Sequence, residues 1–218
     1  MSFDIERARF NMVEKQIRPC EVLDPRVLEL LFKVKREGFV PPAHRALAFA
    51  DLELPLGAGQ TMWSPKMEAR VLQELAMEHG DSVLEIGTGT GYFTALLAAR
   101  GAPVLSVEID PTRAAAARAK LARHGFSRVR VETGDGARGF GREAYDVIVL
   151  TGSTPVLADG FTAQLKPGGR LFAVVGEAPV MKARLLHWNA PGAPTAVDLF
   201  ETVTAPLINA PTPARFTF

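Results

Sequence analysis

The sequence lacks several features that mark particular classes of protein. It contains one cysteine, Cys20, so no disulfide can form within the chain, and this suits a reducing compartment. No apolar run approaches the roughly 20 residues that a membrane-spanning helix needs. Residues 1–7 mix charged and apolar side chains and so lack the apolar core of an export signal. These absences predict a cytoplasmic protein without a membrane partner.

A surplus of positive charge and a metal-binding pattern are also missing. The 25 Lys and Arg residues nearly balance the 24 Asp and Glu residues, for a net charge of +1, so nucleic acid is not an expected partner. The histidines are scattered through the sequence and Cys20 stands alone, so no metal site is predicted. The oligomeric state stays open between monomer and homodimer. The tail 209–218 is expected either to lie across the surface or to reach a neighbouring chain.

What is present fits a single α/β unit. The 218 residues include 47% hydrophobic side chains, enough for a sizeable core. From residue 81 onward, apolar strands alternate with helical stretches, which indicates a doubly wound, Rossmann-like, mostly parallel sheet with helices on both faces. We expect helices at 92–100, 111–124 and 155–165. Seven strands are expected at 82–86, 104–109, 129–132, 146–150, 170–175, 181–188 and 199–206. The last two of these strands should form an antiparallel edge.

The first 80 residues predict a helical extension. Residues 3–17 have an amphipathic pattern that places Ile5, Phe10, Val13 and Ile17 near one face. Further helices are expected to begin near residues 25, 42 and 65, the last of them after a stretch rich in glycine and proline. Residues 1–80 should therefore pack, as helices and a substrate loop, on the core formed by residues 81–218, in a single compact unit.

Three alternating glycines after the first core strand are the most informative stretch of the chain. Glu85 ends a short apolar run, and Gly87, Gly89 and Gly91 follow in the spacing E-x-G-x-G-x-G before a helical pattern. A buried strand that turns into a helix over bare backbone is typical of a ligand-binding loop. Tyr92 stands where the dinucleotide fingerprint needs its last glycine, which argues against a nicotinamide dehydrogenase.

The ends of the other predicted strands should lie at the same edge of the sheet. Glu108 follows the first glycine at about 20 residues, the distance at which a carboxylate accepts both ribose hydroxyls, and Asp135 suits hydrogen bonding to an adenine amino group. Carboxylates and bare backbone without a cation favour S-adenosylmethionine, with its positive sulfonium, over a pyrophosphate. The candidate cofactor-binding residues are Glu85, Gly87, Thr88, Gly89, Gly91, Tyr92, Glu108, Ile109, Asp135, Gly136 and Thr151.

Short motifs occur along the chain in a defined order: MVEKQI at 12–17, DPRVL at 24–28, FVP at 39–41, GQT at 59–61, the glycine loop at 83–92, VE at 107–108, GDG at 134–136 and LKPGGR at 165–170. This set, within residues 10–176, resembles the protein-L-isoaspartate O-methyltransferase family of class I S-adenosylmethionine-dependent methyltransferases. The resemblance implies methyl transfer to the carboxylate of isoaspartyl residues in damaged proteins, with S-adenosyl-L-homocysteine as the product. The ester then collapses to a succinimide, which allows repair.

The chain departs from that family's pattern at the substrate loop. The family continues Gly-x-Thr-Ile-Ser-x-Pro, with a serine hydroxyl near the transferred methyl, whereas this chain has Trp63 at the serine position and Ser64 one residue later. Three roles for Trp63 are open: core packing while Thr61 or Ser64 supplies the hydroxyl, a flat wall for a different acceptor, or a plug in the acceptor pocket. The candidate catalytic residues are Thr61, Trp63 and Ser64.

Three functions from different classes follow. The first is an S-adenosylmethionine-dependent O-methyltransferase that acts on isoaspartyl proteins or peptides. The second is a methyltransferase of the same fold with a small-molecule acceptor, and the third is a cofactor-binding protein that transfers no methyl group. A nucleic-acid methyltransferase is disfavoured, because the fourth predicted strand ends in LTGS at 150–153, without the Asn/Asp-Pro-Pro-aromatic signature of amino-directed enzymes.

Overall fold

The computed structural model describes residues 4–189 and 194–213. Its strands are β1 (Leu54–Gly57), β2 (Gln60–Met62), β3 (Val83–Ile86), β4 (Val104–Glu108), β5 (Arg130–Thr133), β6 (Tyr145–Thr154), β7 (Leu165–Glu177), β8 (Val180–His187) and β9 (Thr195–Glu201). The last seven form one sheet in the order β5-β4-β3-β6-β7-β8-β9, in which β3 to β7 pair in parallel and β8 and β9 pair antiparallel. The predicted fold class is therefore confirmed.

Both faces of the sheet are covered. The helices that follow its strands are α4 (Tyr92–Ala99), α5 (Pro111–Arg123) and α6 (Asp159–Ala163). Val83 of β3 belongs to the apolar cluster on one face, and Leu84 and Ile86 belong to the cluster on the other. A strand that is buried along its whole length, with neighbours on both sides, leaves its carboxyl end as the place where a ligand can reach it.

The N-terminal extension is helical, as predicted, but its first helix presents a different face. The helix α1 (Ile5–Asn11) continues as a π-helix at Met12–Ile17, whose wider turns shift the side chains out of the ordinary period. Ile5 and Phe10, predicted on the buried face, are 42% and 50% exposed. Arg9 is buried instead and pairs with the carboxylates of Glu6 and Glu37.

Two further helices join this extension to the sheet. The helix α2 (Pro25–Lys33) begins with Asp24 as its cap, and α3 (Pro65–Leu75) begins with Ser64 as its cap. Val71, Leu72 and Leu75 of α3 are buried in the same apolar cluster as Val83 of the sheet. The boundary predicted at residue 80 stays a prediction, because this cluster runs through it without interruption. No helix in the described ranges is long and apolar enough to cross a membrane.

Two predicted elements near the C-terminal end were wrong in extent. The predicted helix at 155–165 is reduced to α6, because β6 extends to Thr154 and β7 begins at Leu165. The predicted strand at 199–206 is wrong: β9 ends at Glu201, and residues 203–210 cross over the end of β6 instead. Ser153 exchanges backbone hydrogen bonds with Ala205 and Leu207 there, both at 2.9 Å, while Pro206 has no N–H to continue a ladder. We call residues 203–210 the C-terminal strap.

The predicted turn at 191–194 lies almost entirely outside the described residues, as does half of the tail, 214–218. The part of the tail that is described, 209–213, follows the strap across the surface of the same chain. The glycine-rich stretch before α3 forms a two-stranded hairpin, in which β1 pairs with β2 through Leu54 opposite Met62. This hairpin and the strap face each other above the carboxyl edge of the sheet, where Gln60 Nε2 donates to Pro206 O at 3.2 Å.

Candidate active site

A reversal of strand order places a cleft at the carboxyl ends of the parallel strands. The chain proceeds outward from β3 through β4 to β5 and then returns to β6 on the other side of β3. The resulting main cleft has a volume of about 560 Å³, counted out to its open mouth. That size suits a nucleoside-sized ligand. Its lining comprises Leu56, Gln60, Thr61, Ile86, Gly87, Gly89, Val107, Glu108, Ile109, Arg113, Gly134, Asp135, Gly136, Ala137, Thr151, Gly152, Leu207 and Ile208.

The glycine loop after β3 forms the floor of this cleft. Gly87 and Gly89 have φ of 101° and 53°, in the left-handed region that favours glycine. A Cβ on Gly87 would lie 2.2 Å from Thr151 Oγ1, so the loop also needs the missing side chain for space. Gly87 N donates to Val107 O at 2.8 Å, which ties the loop to β4. The backbone is therefore fixed and bare where a ligand would lie against it.

Glu108 stands at the end of β4 with both carboxylate oxygens engaged. Its Oε2 accepts from Gly89 N at 2.9 Å, and its Oε1 accepts from Asp110 N at 3.0 Å and from Arg113 Nε at 3.3 Å. Although the side chain is 4% exposed, it borders the main cleft. The fixed carboxylate retains lone pairs for ribose hydroxyls, because each oxygen can accept more than one hydrogen bond.

Asp135 lies at the other end of the main cleft, after β5. Its Oδ1 accepts from Ala137 N at 2.9 Å, and its Oδ2 accepts from Asn209 Nδ2 at 2.9 Å. The neighbouring Gly136 allows the chain to pass close to the sheet, since a Cβ there would lie 2.7 Å from Ile86 Cδ1. The C-terminal strap thus holds the carboxylate that the sequence assigns to an adenine.

Glu85 is buried beneath the loop and does not border the cleft. Its Oε2 accepts from the hydroxyls of Thr94 and Ser106, both at 2.6 Å, while its Oε1 has no hydrogen-bond partner among the described residues. Burial raises the pKa of Glu85 to about 8, against the opposing effect of the two hydroxyls. Glu85 therefore connects β3, β4 and α4 from below.

Two other loop residues from the predicted set also lie away from the cleft. Gly91 packs close to Ala117 of α5, and Tyr92 is buried with its ring 5.6 Å from that of Phe39. The guanidinium carbon of Arg36 also lies over the Tyr92 ring, 5.2 Å from the ring centroid. These residues position the helix that follows the loop, and their assignment to the cofactor stays a prediction.

A second, smaller pocket opens from the main cleft beneath the hairpin. This inner pocket has a volume of about 320 Å³ and is lined by Leu56, Thr61, Met62, Trp63, Glu68, Gly87, Thr88, Gly89, Thr90, Phe93 and Thr151. Five of these residues, Leu56, Thr61, Gly87, Gly89 and Thr151, also line the main cleft. They form the junction at which a ligand would pass from one space into the other.

Thr61 is the candidate catalytic residue that lies at this junction. It belongs to β2, and its hydroxyl donates to Glu53 Oε2 at 2.8 Å. Ser64, by contrast, borders neither space: its Oγ accepts from Met67 N at 3.4 Å and caps α3. The hairpin thus separates the two candidate hydroxyls, one facing the cleft and the other at a helix end.

Trp63 points into the core of the protein. Its indole is 4% exposed and packs edge-on against Phe93 and Phe172, with ring centroids 5.3 and 6.1 Å away. The indole N–H donates to Thr204 Oγ1 of the strap at 3.3 Å. The backbone carbonyl of Trp63 accepts from Arg36 Nη2 at 2.8 Å, so the residue is fixed at both ends.

The sequence did not single out Glu68, Arg113, Thr204, Leu207 or Asn209, all of which contribute to this site. Arg113 carried a weak signal, since it lies on the first turn of a helix that starts three residues after Glu108. The remaining four carried none, because their positions depend on contacts between distant parts of the chain. Among the described residues, no three His, Cys, Asp or Glu side chains gather as metal ligands would.

The chain is similar to a known family of enzymes over most of its length. The family model described as protein-L-isoaspartate(D-aspartate) O-methyltransferase matches residues 7–198. The chain belongs to this family. It is 45% identical over 171 residues to a protein-L-isoaspartate O-methyltransferase from Methanoculleus marisnigri, which covers 78% of each chain. It is also 41% identical over 201 residues to protein-L-isoaspartate O-methyltransferase 1 from Anaeromyxobacter sp., covering 91% of this chain and 95% of that one.

A solved structure from Plasmodium falciparum, assigned to the same activity and crystallised with S-adenosyl-L-homocysteine, superimposes with a TM-score of 0.80. The match covers 94% of this chain and 99% of that one at 15% sequence identity, so it shows a shared fold. The resemblance found in the sequence is confirmed by the family model and the relatives. This protein is a methyltransferase of that family, in which S-adenosylmethionine is the methyl donor.

Proposed function

We propose that the protein transfers the methyl group of S-adenosylmethionine to the carboxylate of isoaspartyl residues in damaged proteins or peptides. The observation that carries the proposal is the position of Thr61 at the junction of the two pockets, with Trp63 turned into the core beside it. A hydroxyl thus borders the junction, and the Trp63 indole, although it lines the inner pocket, leaves about 320 Å³ of that pocket unfilled. We place the reaction in the cytoplasm, a location that the single cysteine supports.

The residues of the main cleft fit the proposed cofactor. Glu108 would accept the ribose hydroxyls, and Asp135 with Gly136 would border the adenine. The glycine backbone at Gly87 and Gly89 permits close approach without a clash. When bound, the cofactor supplies an electrophilic methyl group on a positive sulfur. The sequence predicted a lining without a cation, but Arg113 borders the main cleft; its charge is paired with Glu108, and Asp135 adds a second carboxylate that suits the sulfonium.

Methyl transfer to a carboxylate requires little acid–base catalysis from the protein. A carboxylate is already ionised at pH 7, so its oxygen can attack the methyl carbon directly while the carbon–sulfur bond breaks and S-adenosyl-L-homocysteine leaves. The remaining requirement is alignment of the acceptor oxygen with that bond, which positioning groups provide. The Thr61 hydroxyl can turn from Glu53 to donate to an acceptor carboxylate and hold it in line.

The proposal is tested by transfer of labelled methyl to an isoaspartyl peptide, with the matching aspartyl peptide as the control acceptor. Labelling of the isoaspartyl peptide alone is the expected result. Binding of S-adenosyl-L-homocysteine to the same preparation is measured by calorimetry. Cofactor binding without labelling of the isoaspartyl peptide would overturn the proposed acceptor, and a screen of small carboxylic acids would then follow.

Two variants assign the hydroxyl. Thr61→Val should lower kcat about 10- to 100-fold with unchanged affinity for S-adenosyl-L-homocysteine, because it removes a group that acts on the acceptor. Ser64→Ala, the matched loss of a hydroxyl three residues away, should leave kcat unchanged and cost about 1 kcal/mol of stability through loss of the helix cap. The opposite pattern would transfer the catalytic role to Ser64.

A further inference from the structure

The inner pocket contains one ionisable side chain, Glu68, and it is buried. Glu68 lies near the start of α3 and is 1% exposed. Arg36 Nη1 donates to its Oε2 at 2.7 Å, while no described residue donates a hydrogen bond to its Oε1. Since the side chain borders the inner pocket, its carboxyl group offers a free acceptor to a ligand there. A buried carboxyl group with unused hydrogen-bonding capacity is costly unless something uses it.

Arg36 holds this carboxyl group in one position. Its other guanidinium nitrogens donate to Ala48 O at 2.9 Å and to Trp63 O at 2.8 Å. Each of the three guanidinium nitrogens thus donates to a protein group, and the residue is itself 1% exposed. Glu68 therefore presents a fixed oxygen to the inner pocket, and Arg36 acts behind it as a positioning residue.

Burial and Arg36 act on the charge of Glu68 in opposite directions. Burial raises the pKa of Glu68 to about 8, although the Arg36 guanidinium lowers it. A cationic group in the inner pocket would favour the ionised form further, because a second opposite charge within hydrogen-bond distance stabilises a carboxylate. Arg36 alone therefore does not keep Glu68 ionised at neutral pH.

S-adenosylmethionine would extend through both spaces, with one part of the molecule in the main cleft and the other in the inner pocket. Glu108 and Asp135 border only the main cleft, where they suit a ribose and an adenine. The amino-acid end of the cofactor must then pass the junction formed by Thr61, Gly87 and Thr151, and the inner pocket lies directly beyond it. The alternative occupant of the inner pocket is part of the acceptor.

Electrostatics separates these alternatives. The acceptor is a carboxylate: a protonated Glu68 could offer it a single hydrogen bond, whereas an ionised Glu68 carboxylate would repel it in a buried site. The amino-acid end of the cofactor carries an ammonium group, which the same carboxylate would attract through a charge-assisted hydrogen bond. Thr88 and Thr90, which also line the inner pocket, lead into α4, whose amino end favours the carboxylate of the same zwitterion.

We propose that Glu68 binds the ammonium group of the cofactor's methionine moiety, with the inner pocket as the site of that moiety. The inference rests on the function proposed above, because it takes S-adenosylmethionine as the ligand of the main cleft. It assigns to Glu68 a binding role that no motif in the sequence indicated.

The test compares two ligands by calorimetry, so that no acceptor or turnover is needed. S-Adenosyl-L-homocysteine carries the amino-acid end, and 5′-methylthioadenosine lacks it. Glu68→Gln should weaken binding of the first about 10- to 100-fold and change binding of the second less than twofold, since only the first has an ammonium group. Unchanged 5′-methylthioadenosine binding also shows that the variant is folded around an intact main cleft.

Glu53→Gln is the matched control. It removes a carboxylate that lies on the far side of Thr61 and borders neither pocket, and it should leave both affinities unchanged. Equal weakening of both ligands by Glu68→Gln, or no change in either, would overturn the proposal. A raised KM for the isoaspartyl peptide with unchanged affinity for S-adenosyl-L-homocysteine would instead assign the inner pocket to the acceptor.

A second measurement needs no variant of the protein. An S-adenosyl-L-homocysteine analogue that lacks the amino group but keeps the carboxylate should bind the native protein about 10- to 100-fold more weakly than the parent compound. In Glu68→Gln the two compounds should bind with similar affinity. Equal binding of both compounds to the native protein would overturn the proposal. Failure of the isoaspartyl assay would leave these binding results unaffected.

Discussion

The two sides of the main cleft are built in different ways. The sheet side consists of Gly87, Glu108 and Thr151, which are held by strand ends and short backbone hydrogen bonds. The outer side consists of the β1–β2 hairpin and the C-terminal strap, which are more than 140 residues apart in the sequence. Two side-chain hydrogen bonds, from Gln60 to Pro206 and from Trp63 to Thr204, join them.

This difference indicates which side of the cleft is rigid and which side tolerates substitutions. A backbone held in a parallel sheet has no alternative arrangement, so a change on the sheet side should abolish ligand binding. A wall held by single side-chain bonds can lose one of them and persist, so changes there should weaken binding or stability in small steps. Variants on the two sides test that contrast, in order of decreasing effect.

Gly87→Ala should weaken binding of S-adenosyl-L-homocysteine more than 100-fold. The new Cβ would strain a left-handed backbone and would lie 2.2 Å from Thr151 Oγ1, which cannot move because it donates to the carbonyls of Ile86 and Gly87. Gly80→Ala is the control: Gly80 has a φ of 91°, but a Cβ there would meet nothing within 4 Å, so this variant carries the strain alone. If calorimetry gives equal affinities of the two variants for S-adenosyl-L-homocysteine, the sheet side is not rigid in the way described above.

Glu85→Gln should flatten the dependence of stability on pH. The folded state raises the pKa of Glu85 from 4.5 to about 8, so between these values the folded protein holds a proton that the unfolded chain has lost. Stability from this group is therefore present at low pH and is lost as the pH rises toward 8, at roughly 1 kcal/mol per pH unit. Urea unfolding at pH 5, 6.5 and 8 should show a smaller loss in Glu85→Gln. Parallel curves for Glu85→Gln and for the exposed control Glu29→Gln would contradict this assignment.

Trp63→Phe and Thr204→Val should each lower the free energy of unfolding by about 1 to 2 kcal/mol. Trp63→Phe leaves the Thr204 hydroxyl without its donor and a gap beside the smaller ring, and Thr204→Val leaves the indole N–H of Trp63 without its acceptor. The double variant should cost less than the sum, since both single changes remove the same hydrogen bond between the hairpin and the strap. Denaturant unfolding of the four proteins measures this coupling. Strict additivity would mean that the two segments are held together by other contacts.

Asn209→Gly should weaken binding of S-adenosyl-L-homocysteine only about threefold. Glycine keeps the left-handed backbone, which has a φ of 64°, but removes the amide that donates to Asp135. Asn209→Asp should have a larger effect, because two carboxylates would then face each other, and salt should reduce it. Calorimetry at two salt concentrations checks both, and identical affinities in all variants would show that the strap does not orient Asp135.

The sheet side could be anticipated from the sequence because its geometry is local or follows from parallel pairing. The spacing of the glycines predicts the loop after β3, and parallel strands bring Glu108, Asp135 and Thr151 to one edge. All these residues border the main cleft, although their contacts with the cofactor stay a prediction. Glu85 and Tyr92 belong to the same motif but face inward: Glu85 in β3 bonds to Thr94 and Ser106, and Tyr92 at the start of α4 packs on Phe39.

The outer side could not be anticipated, because nothing local determines it. The direction of the Trp63 side chain depends on Phe172 and Thr204, which come more than 100 residues later. The end of the strand predicted at 199–206 was missed for the same reason: the sheet strand β9 ends at Glu201, and Ala205 and Leu207 bond to Ser153 of β6 instead. The burial of Arg9 rather than Ile5 shows a further limit: both lie on one face of α1, and Arg9 is held inside by Glu37, which comes 28 residues later in the chain.

The C-terminal strap has a consequence for how the protein is made. The β1–β2 hairpin precedes the sheet in the chain, whereas residues 203–210 follow every strand of it. A chain emerging from the ribosome therefore completes its sheet before it receives the strap, the second half of the outer side of its cleft. We expect the nascent protein to fold as far as β9 while the cleft is still open to water, and to gain full affinity for its cofactor only when the strap emerges. Tight cofactor binding would then mark the end of synthesis of the folded unit.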